Sequence, residues 1–290
     1  MQVGVCQNVA VSVIDFHTHI FPPDVIAARH RYVQRDAWFC QLYDHPRARM
    51  ATAEELIAAL DAAGVDAAVT FGFAWSDPAL CQAANDYVLD AVRRWPRRLY
   101  GFAVVNPATE GASLEVERCL DKGLVGVGEL MPDGQGYSFS DPCLDRVLET
   151  ALYRRKSVMI HAGEPVGHRY PGKSRSTVEA FYDLALRHPQ AQLIAAHWGG
   201  GLCFYELMPE VRQALRNVYY DTAASPFLYG DEVFSLAAQV VPDKILFATD
   251  FPLLTPQALL TRVRGVGLSE TVLASVLGGT ASRLLPAGDR

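Results

Sequence analysis

Eight short apolar runs alternate with helical patterns along the chain, and this alternation constrains the fold more than any other feature. Each run is almost continuously apolar rather than alternately apolar and polar, which is typical of parallel strands buried on both faces. Eight strand–helix units in a chain of 290 residues fit a (β/α)₈ TIM barrel. The predicted strands comprise residues 13–19, 67–73, 99–105, 125–130, 157–162, 192–197, 218–221 and 244–249.

An open, doubly wound sheet is the main alternative for this pattern, and two observations count against it. No G-x-G-x-x-G motif opens the first helix. Polar residues follow strands 1, 4, 5, 6 and 8, and only a closed barrel brings strand 8 beside strand 1 around one axis. No change in composition marks a second domain, so residues 1–290 are predicted to form a single barrel domain.

Capping signals mark several helix boundaries between the predicted strands. Thr52 and Glu55 form a capping box that opens a helix, and this helix ends at Gly64. Asp77 and Asp141 each precede a proline, which is typical of an N-cap residue followed by proline at the first helical position. Further helices are predicted near residues 110–122, 176–188, 204–216, 231–240, 256–264 and 269–278.

Residues 20–51 follow the first strand and show neither the helical nor the strand period. An irregular connection of this length in a compact domain is usually a lid or a binding loop. The segment is rich in aromatic and basic residues, among them Arg29, Tyr32, Trp38 and Tyr43. The sequence therefore predicts an irregular lid insertion after strand 1.

Charge and composition narrow the choice of partners. The net charge is −6 and no run of lysine and arginine could follow a phosphate backbone, so nucleic acid is not expected. No run of 18 apolar residues and no signal sequence occurs, so neither a membrane span nor export is expected. The six cysteines are scattered without a C-x-x-C motif, which indicates reduced thiols in the cytoplasm. A small molecule is the expected partner, and a homodimer remains an open option.

Six residues that can bind a metal or transfer a proton stand at the ends of five predicted strands. In strand 1, His17 and His19 are two residues apart and therefore point to the same face. Each of the six has a structural explanation when it is taken alone; an isolated aspartate near a proline, for example, often forms a turn. In a barrel, however, the carboxyl ends of all strands meet at one face, where active sites lie. The six predicted metal ligands are His17, His19, Glu129, His161, His197 and Asp250.

These residues resemble those of the amidohydrolase superfamily. The motif Asp15-Phe16-His17-Thr18-His19, the histidines His161 and His197, and the stretch Thr249-Asp250-Phe251-Pro252 are most similar to the amidohydrolase-2 branch. This branch is typified by aminocarboxymuconate-semialdehyde decarboxylase, and residues 96–107 are similar to it as well. The resemblance extends over nearly the whole chain and is specific for the fold and the metal chemistry rather than for the substrate.

The resemblance implies a role for each residue at the strand ends. A first metal ion is assigned to His17, His19, His161 and Asp250. His197 is left either to bind a second ion or to orient a water molecule and the substrate. Glu129 lies where TatD-type deoxyribonucleases carry a glutamate that bridges two metals. Imidazole and carboxylate ligands suit one or two ions of Zn²⁺, with Mn²⁺ as the alternative.

Two reaction classes fit such a site, with Asp250 and His197 as the expected catalytic residues. In the first, the metal lowers the pKa of a bound water to about 7 and Asp250 acts as general base. An amide, ester or lactone bond of a small, carboxylated molecule is then hydrolysed. In the second, a metal-dependent enzyme removes the carboxyl group of an aromatic or unsaturated acid without oxidation. Glu129 favours the hydrolase, because a bridging carboxylate assembles two metals.

The segment after strand 5 is rich in glycine and basic residues, and it contains His168, Lys173 and Arg175. Such a loop suits an anion, and these three residues are predicted to bind a carboxylate of the substrate. A solvated surface loop with no role in binding fits the same sequence equally well.

Overall fold

The computed structural model describes residues 12–175 and 178–286, and eight parallel strands form one sheet within them. Each strand pairs with the next one along the chain, from β1 to β8. Every predicted strand is present, most of them a few residues shorter than expected. The strands are β1 Ile14–His19, β2 Ala67–Phe71, β3 Leu99–Ala103, β4 Gly126–Leu130, β5 Ser157–Ile160, β6 Leu193–Ala195, β7 Val218–Asp221 and β8 Ile245–Leu246.

The sheet closes on itself where β1 meets the segment that begins with β8. The backbone N–H of Phe16 donates to the carbonyl of Phe247 at 2.8 Å, and that of His19 donates to the carbonyl of Phe251 at 2.7 Å. Thr18 and Phe251 form a parallel bridge between the same two segments. The predicted (β/α)₈ TIM barrel is therefore confirmed, and its closure places the end of β1 beside the residues that follow β8.

Helices surround the sheet and follow the predicted capping signals. Thr52 and Glu55 form the predicted capping box, and Gly64 ends that helix in the left-handed conformation. Asp77 caps the next long helix through the backbone N–H of Ala79. The helices are α1 Pro23–Ala27, α2 Arg29–Val33, α3 Ala37–Tyr43, α4 Ala53–Ala63, α5 Pro78–Arg94, α6 Ala112–Asp121, α7 Pro132–Gln135, α8 Pro142–Tyr153, α9 Val178–Arg187, α10 Pro209–Ala214, α11 Ser225–Leu228, α12 Glu232–Val240, α13 Pro256–Gly265, α14 Glu270–Ala274 and α15 Thr280–Leu284.

Three helix predictions need adjustment. Asp141 precedes α8 but makes no side-chain cap, because its carboxylate accepts from the backbone N–H of Ser138 instead. The region predicted as one helix near 204–216 consists of an irregular helical segment, His197–Leu207, followed by α10. The first two residues of the helix predicted near 176–188 lie outside the described part of the chain, and α9 is described from Val178 onwards.

Residues 20–51 form a lid of three short helices, so the prediction of an irregular segment was wrong. The helices α1, α2 and α3 are five, five and seven residues long. Elements of one or two turns are too short to display a hydrophobic period. Aromatic rings hold the lid on the barrel: Phe39 stacks on Tyr43 with centroids 4.7 Å apart and meets Phe73 at 5.2 Å.

The interior of the barrel is packed with apolar side chains below the site. Phe16 of β1 contacts Phe102 of β3 edge-on, with ring centroids 5.9 Å apart. Because β2 separates these strands in the sheet, the rings meet inside the barrel. Met159 and Ile194 belong to the same buried cluster. The filled interior supports the strand ends from beneath.

The cysteines are unpaired wherever the structure describes them, as the sequence predicts. These are Cys40, Cys81, Cys119, Cys143 and Cys203; Cys6 lies outside the described residues.

Across the described ranges, no helix has the length and hydropathy needed to cross a bilayer.

Candidate metal centre

The six predicted metal ligands lie around one point at the carboxyl end of the barrel. His17 and His19 belong to the end of β1, and Glu129 lies near the end of β4. The other three follow β5, β6 and β8, and they are His161, His197 and Asp250. The strand ends thus bring together residues that are far apart in the sequence.

Four of these side chains direct ligand atoms towards one position. Nε2 of His17 lies 3.2 Å from Nε2 of His19 and 3.6 Å from Oδ1 of Asp250. Nε2 of His19 lies 3.3 Å from the same oxygen of Asp250. Oε2 of Glu129 lies 3.6 Å from Nε2 of His17 and 3.8 Å from Nε2 of His19. Tetrahedral ligand atoms about 2.1 Å from a zinc ion are about 3.4 Å apart, so these four atoms fit one ion.

The other oxygen of Glu129 faces the two remaining histidines. Oε1 of Glu129 lies 2.9 Å from Nδ1 of His161 and 3.4 Å from Nε2 of His197. These two ring nitrogens are 3.2 Å apart. Glu129 therefore stands between two groups of ligand atoms, as a carboxylate that bridges two ions would. The same arrangement also fits a single ion, with His161 hydrogen-bonded to Glu129.

Hydrogen bonds on the far side of the imidazole rings determine which nitrogens can bind a metal. Nδ1 of His17 lies 2.8 Å from Oδ2 of Asp221, and Nδ1 of His197 lies 3.1 Å from the carbonyl oxygen of Ala223. Carboxylate and carbonyl oxygens only accept, so these ring nitrogens carry the hydrogen and donate it. Nε2 of both rings is therefore the nitrogen that faces the site, and in the neutral ring it presents a lone pair there, as the imidazole ligands of metals do.

The electrostatics of the site favour positive charge. Burial alone would lower the pKa of His17, but the carboxylates of Glu129 and Asp221 raise it well above its usual value. Burial would also lower the pKa of His197, whereas the hydrogen bond and charge of Glu129 raise it to about 9. The pKa of Glu129 itself lies well below its usual value, because His17 and His161 outweigh its burial.

The donor set fits a divalent metal ion. Two groups of three residues have ligand atoms within 4.8 Å of one another. The first consists of His17, His19 and Asp250, and the second of His17, Glu129 and His197. Buried carboxylates that face imidazole lone pairs repel unless a cation or protons lie between them. Nitrogen and oxygen donors of this kind suit zinc or manganese.

Backbone geometry fixes two of the site residues. His197 has φ 56° and Asp250 has φ 62°, in the left-handed region where residues other than glycine are uncommon. Asp250 is held there because its N–H donates to the carbonyl of His17 at 2.9 Å. On β4, a Cβ atom at Gly128 would lie 2.3 Å from the carbonyl oxygen of Met159, so glycine is required for the close approach of β4 and β5. Such strain is typical of functional sites.

Two buried aspartates, Asp15 and Asp221, support the site although the sequence did not predict them as site residues. Asp221 accepts from the ring of His17 and from the backbone N–H of His197, the latter at 2.8 Å. Its place at the end of β7 was the available signal. Asp15 accepts from the N–H and the hydroxyl of Thr249 at 3.0 and 2.6 Å, and burial raises its pKa to about 7. Both aspartates orient the segments that carry the ligands.

A cavity of about 480 Å³ opens above the ligand atoms. Its floor includes His19, Glu129 and Asp250, and two exposed arginines, Arg47 and Arg49, belong to its mouth. The lid supplies much of the wall, as predicted for this segment. The larger apolar and aromatic residues of the lining are Trp38, Leu42, Tyr43, Met131, Phe227 and Leu253.

The three residues predicted to bind the substrate do not line this cavity. The loop that contains His168, Lys173 and Arg175 contributes Pro171 and Gly172 to the wall instead. The ammonium group of Lys173 donates to two carbonyl oxygens of its own loop, at 2.5 and 2.9 Å. A role of these residues in substrate binding stays a prediction.

The sequence profile of the amidohydrolase family matches residues 14–287. This chain belongs to the amidohydrolase family. The match extends over nearly the whole barrel, and it confirms the resemblance drawn from the strand-end residues. A search of curated proteins finds no significant match.

Several solved structures share the fold of this family member. The chain is similar to 5-carboxyvanillate decarboxylase from Sphingomonas paucimobilis, with a TM-score of 0.78, 19% identity, and coverage of 95% of this chain and 99% of that chain. It is also similar to the Novosphingobium aromaticivorans 5-carboxyvanillate decarboxylase complexed with manganese and 4-hydroxy-3-methoxy-5-nitrobenzoic acid (TM-score 0.77, 17% identity, 95% and 96% coverage). A third is the dihydroxybenzoic acid decarboxylase of Polaromonas sp. JS666 with manganese and 2-nitroresorcinol (0.70, 18%, 94% and 96%).

We expect the purified protein to bind a divalent transition metal stoichiometrically, because two imidazole nitrogens and two carboxylate oxygens converge on one position. Elemental analysis after metal-free purification and back-titration with Zn²⁺, Mn²⁺, Co²⁺ or Ni²⁺ measures this binding. His17→Ala should abolish it. His188→Ala is the matched control, because His188 pairs with Asp145 outside the site at 2.6 Å and its loss should leave metal content unchanged. Absence of stoichiometric binding by all four metals would contradict the assignment.

Proposed function

We propose that this protein is a metal-dependent enzyme that removes a carboxyl group from an aromatic acid without oxidation. The observation that carries this proposal is the cavity, whose floor holds histidines and carboxylates and whose walls are apolar and aromatic. A metal on such a floor suits the carboxylate of a substrate, and aromatic walls suit its ring. The fold of the decarboxylases of 5-carboxyvanillate and dihydroxybenzoic acid supports the same reaction class.

The lid gives the cavity the features that an aromatic anion requires. Tyr43 and Trp38 belong to the wall, and the indole N–H of Trp38 donates to the sulfur of Met131 at 3.1 Å. Arg47 and Arg49 add positive charge at the mouth. A planar ring would pack between the aromatic walls, and its acidic substituents would face either the metal or the arginines.

Asp250 is the side chain placed to move the proton that decarboxylation requires. When CO₂ leaves, the electron pair of the broken C–C bond stays on the ring carbon, which must gain a proton. Asp250 and Glu129 both belong to the cavity floor, but the side chain of Asp250 is 18% exposed and that of Glu129 only 1%, so Asp250 is the more accessible carboxylate. A divalent ion bound to the site would hold the substrate oxygens and stabilise their negative charge.

The charge state of Asp250 sets the order of proton transfer. Burial would raise its pKa, but the hydrogen bond to His19 and the charge of His17 lower it. Asp250 therefore meets the substrate as a carboxylate. It first takes a proton from an acidic hydroxyl of the substrate or from water, and it then delivers that proton to the ring carbon as CO₂ leaves.

Hydrolysis of an amide, ester or lactone is the second candidate reaction. The position of Glu129 between two groups of ligand atoms favours it, because a bridged pair of ions is common in hydrolases. A second ion is nevertheless compatible with either reaction. The lining of the cavity and the similarity to solved decarboxylases support our preference for decarboxylation.

The metal of this enzyme is proposed to be Zn²⁺ or Mn²⁺. Two imidazoles and two carboxylates converge on the first position, a donor set that both ions accept. Manganese is present in two of the decarboxylase structures described above. Activity of the protein reconstituted with each metal in turn would decide between them.

One experiment separates the two reactions. The metal-loaded protein is incubated in D₂O with hydroxylated benzoic acids, including 5-carboxyvanillate and 2,6-dihydroxybenzoate, and in parallel with panels of lactones, esters and amides. We expect CO₂ release together with one deuterium at the ring carbon that carried the carboxyl group. Hydrolysis of a member of the second panel, without CO₂ release from any acid, would overturn the proposal.

Arg47→Ala should lower kcat/KM far more for acids with a second anionic group than for acids with one. The reason is that Arg47 belongs to the cavity mouth, whereas Arg175 does not line the cavity. Arg175→Ala is therefore the matched control, and it also tests the prediction made from the sequence. A larger effect of Arg175→Ala than of Arg47→Ala would return substrate binding to the loop after β5.

A further inference from the structure

The loop of residues 163–174, which we call the β5 loop, is closed at its base. A Cβ atom at Gly163 would lie 2.8 Å from the backbone nitrogen of Ser174, so the two ends of the loop are in direct contact. Compact surface loops whose ends meet in this way are often functional. The β5 loop also meets the lid, because a Cβ atom at Gly172 would lie 2.7 Å from a methyl group of Leu42.

The β5 loop contacts the metal centre through one hydrogen bond. Nε2 of His161 lies 2.9 Å from the carbonyl oxygen of Gly172. A carbonyl oxygen only accepts, so Nε2 of His161 carries the hydrogen. The lone pair of the neutral ring is then on Nδ1, which faces Glu129 at 2.9 Å. His161 thus presents Nδ1 to the site, whereas His17 and His197 present Nε2.

This hydrogen bond depends on the conformation of the β5 loop. Without the Gly172 carbonyl, either nitrogen of His161 could carry the hydrogen and the ring could turn about its side-chain bonds. A ligand histidine is normally fixed by such an outer hydrogen bond. For His161, the acceptor of this outer hydrogen bond is the Gly172 carbonyl of a surface loop rather than a group on a strand.

A second contact holds the β5 loop closed. The hydroxyl of Tyr170 donates to Oε2 of Glu164 at 2.7 Å, which joins the start of the loop to its second half. Tyr229, from the segment after β7, lies near this carboxylate. Burial raises the pKa of the Tyr229 hydroxyl, and the charge of Glu164 raises it further.

We propose that Glu164 and Tyr170 are positioning residues: their hydrogen bond holds the β5 loop closed, and the closed loop fixes His161 for metal binding through Gly172. Opening of the loop would release the ring of His161 and uncover the cavity wall formed by Pro171 and Gly172. Metal retention and access to the cavity are then controlled by the same contact. This inference rests on the metal centre of the proposed function but not on the reaction that it performs.

Tyr170→Phe tests the contact, because it removes the hydroxyl and keeps the ring. The full chain is loaded with Zn²⁺, and ¹⁵N NMR follows the Nε2–H of His161. We expect its exchange with water to be about 10-fold faster in the variant, and Zn²⁺ release to a chelator to be faster by about 10-fold. Tyr205→Phe is the matched control, since Tyr205 is 54% exposed and its hydroxyl lies outside the contact.

Two substitutions of Glu164 separate positioning from general destabilisation. Glu164→Ala should reproduce both effects, whereas Glu164→Gln keeps an oxygen that accepts from Tyr170 and should restore slow exchange and slow release. Unchanged exchange or unchanged release in both Tyr170→Phe and Glu164→Ala would overturn the proposal. Equal effects of Glu164→Gln and Glu164→Ala would also overturn it. Since neither readout involves turnover, failure of the decarboxylation assay leaves this test intact.

Discussion

Asp250→Asn is expected to lower kcat by about 10²–10⁴-fold, the usual contribution of a general acid–base group. The amide fills the same space but cannot carry out the two proton transfers that the proposed decarboxylation requires, from the substrate and to the ring carbon. The fold should remain, because the contact that holds this residue is the backbone N–H of Asp250 to the carbonyl of His17. Turnover of an active aromatic acid, measured by CO₂ release, checks the prediction.

The metal content of Asp250→Asn must be measured alongside its activity, because Oδ1 of Asp250 lies 3.3 Å from Nε2 of His19 and belongs to the first ligand group. Inactivity with full metal occupancy would identify a proton-transfer role. Inactivity with lost metal would identify a ligand role. Asp231→Asn is the matched control, since Asp231 pairs with Arg262 on the surface. Near wild-type turnover of Asp250→Asn would show that Asp250 only forms a turn.

Glu129→Gln is expected to lower metal occupancy from two ions per chain to about one. The two carboxylate oxygens of Glu129 face different groups, His17 with His19 on one side and His161 with His197 on the other. A carboxylate in this position would bridge two ions about 3.5–4 Å apart. Replacing it by an amide removes the negative charge that both ions share. Equilibrium dialysis at saturating Zn²⁺ or Mn²⁺, followed by elemental analysis, measures the change.

A single ion in the wild-type protein at saturating metal would contradict the bridging role. Glu129 would then act as a ligand or hydrogen-bond partner within a one-ion site, and the substitution would weaken binding without changing the stoichiometry. Glu54→Gln provides a control, because Glu54 lies on the surface and pairs with Arg94. The number of metal ions bound per chain should be unchanged in that variant.

The barrel could be predicted from the sequence because its signal is local. Each strand is a short apolar run, and such a run is sufficient to indicate a parallel strand buried on both faces. The ligand residues were predictable for a related reason. Once the strands are placed in a barrel, residues such as His161 and His197 that directly follow a strand must lie at one face. The positions of the strands in the sequence therefore also predict which residues form the site.

The lid could be located from the sequence but its structure could not be predicted. Its three helices are one or two turns long, too short to show a hydrophobic period in the sequence. Contacts between aromatic rings, such as those of Phe39, Tyr43 and Phe73, stabilise them instead. Asp221 was overlooked because a single aspartate at a strand end has no partner visible in the sequence. Its partners, His17 and His197, are distant along the chain.

The sequence by itself determined the strand order, the family and the identity of the residues that gather at the carboxyl end of the barrel. Only the tertiary structure decided how those residues act. It showed which ring nitrogen of His161 faces the site, and it placed Lys173 on its own loop rather than in the cavity. The physical reason is that these properties depend on hydrogen bonds between segments that meet only after folding, whereas the strands are encoded by the hydrophobicity of each segment alone.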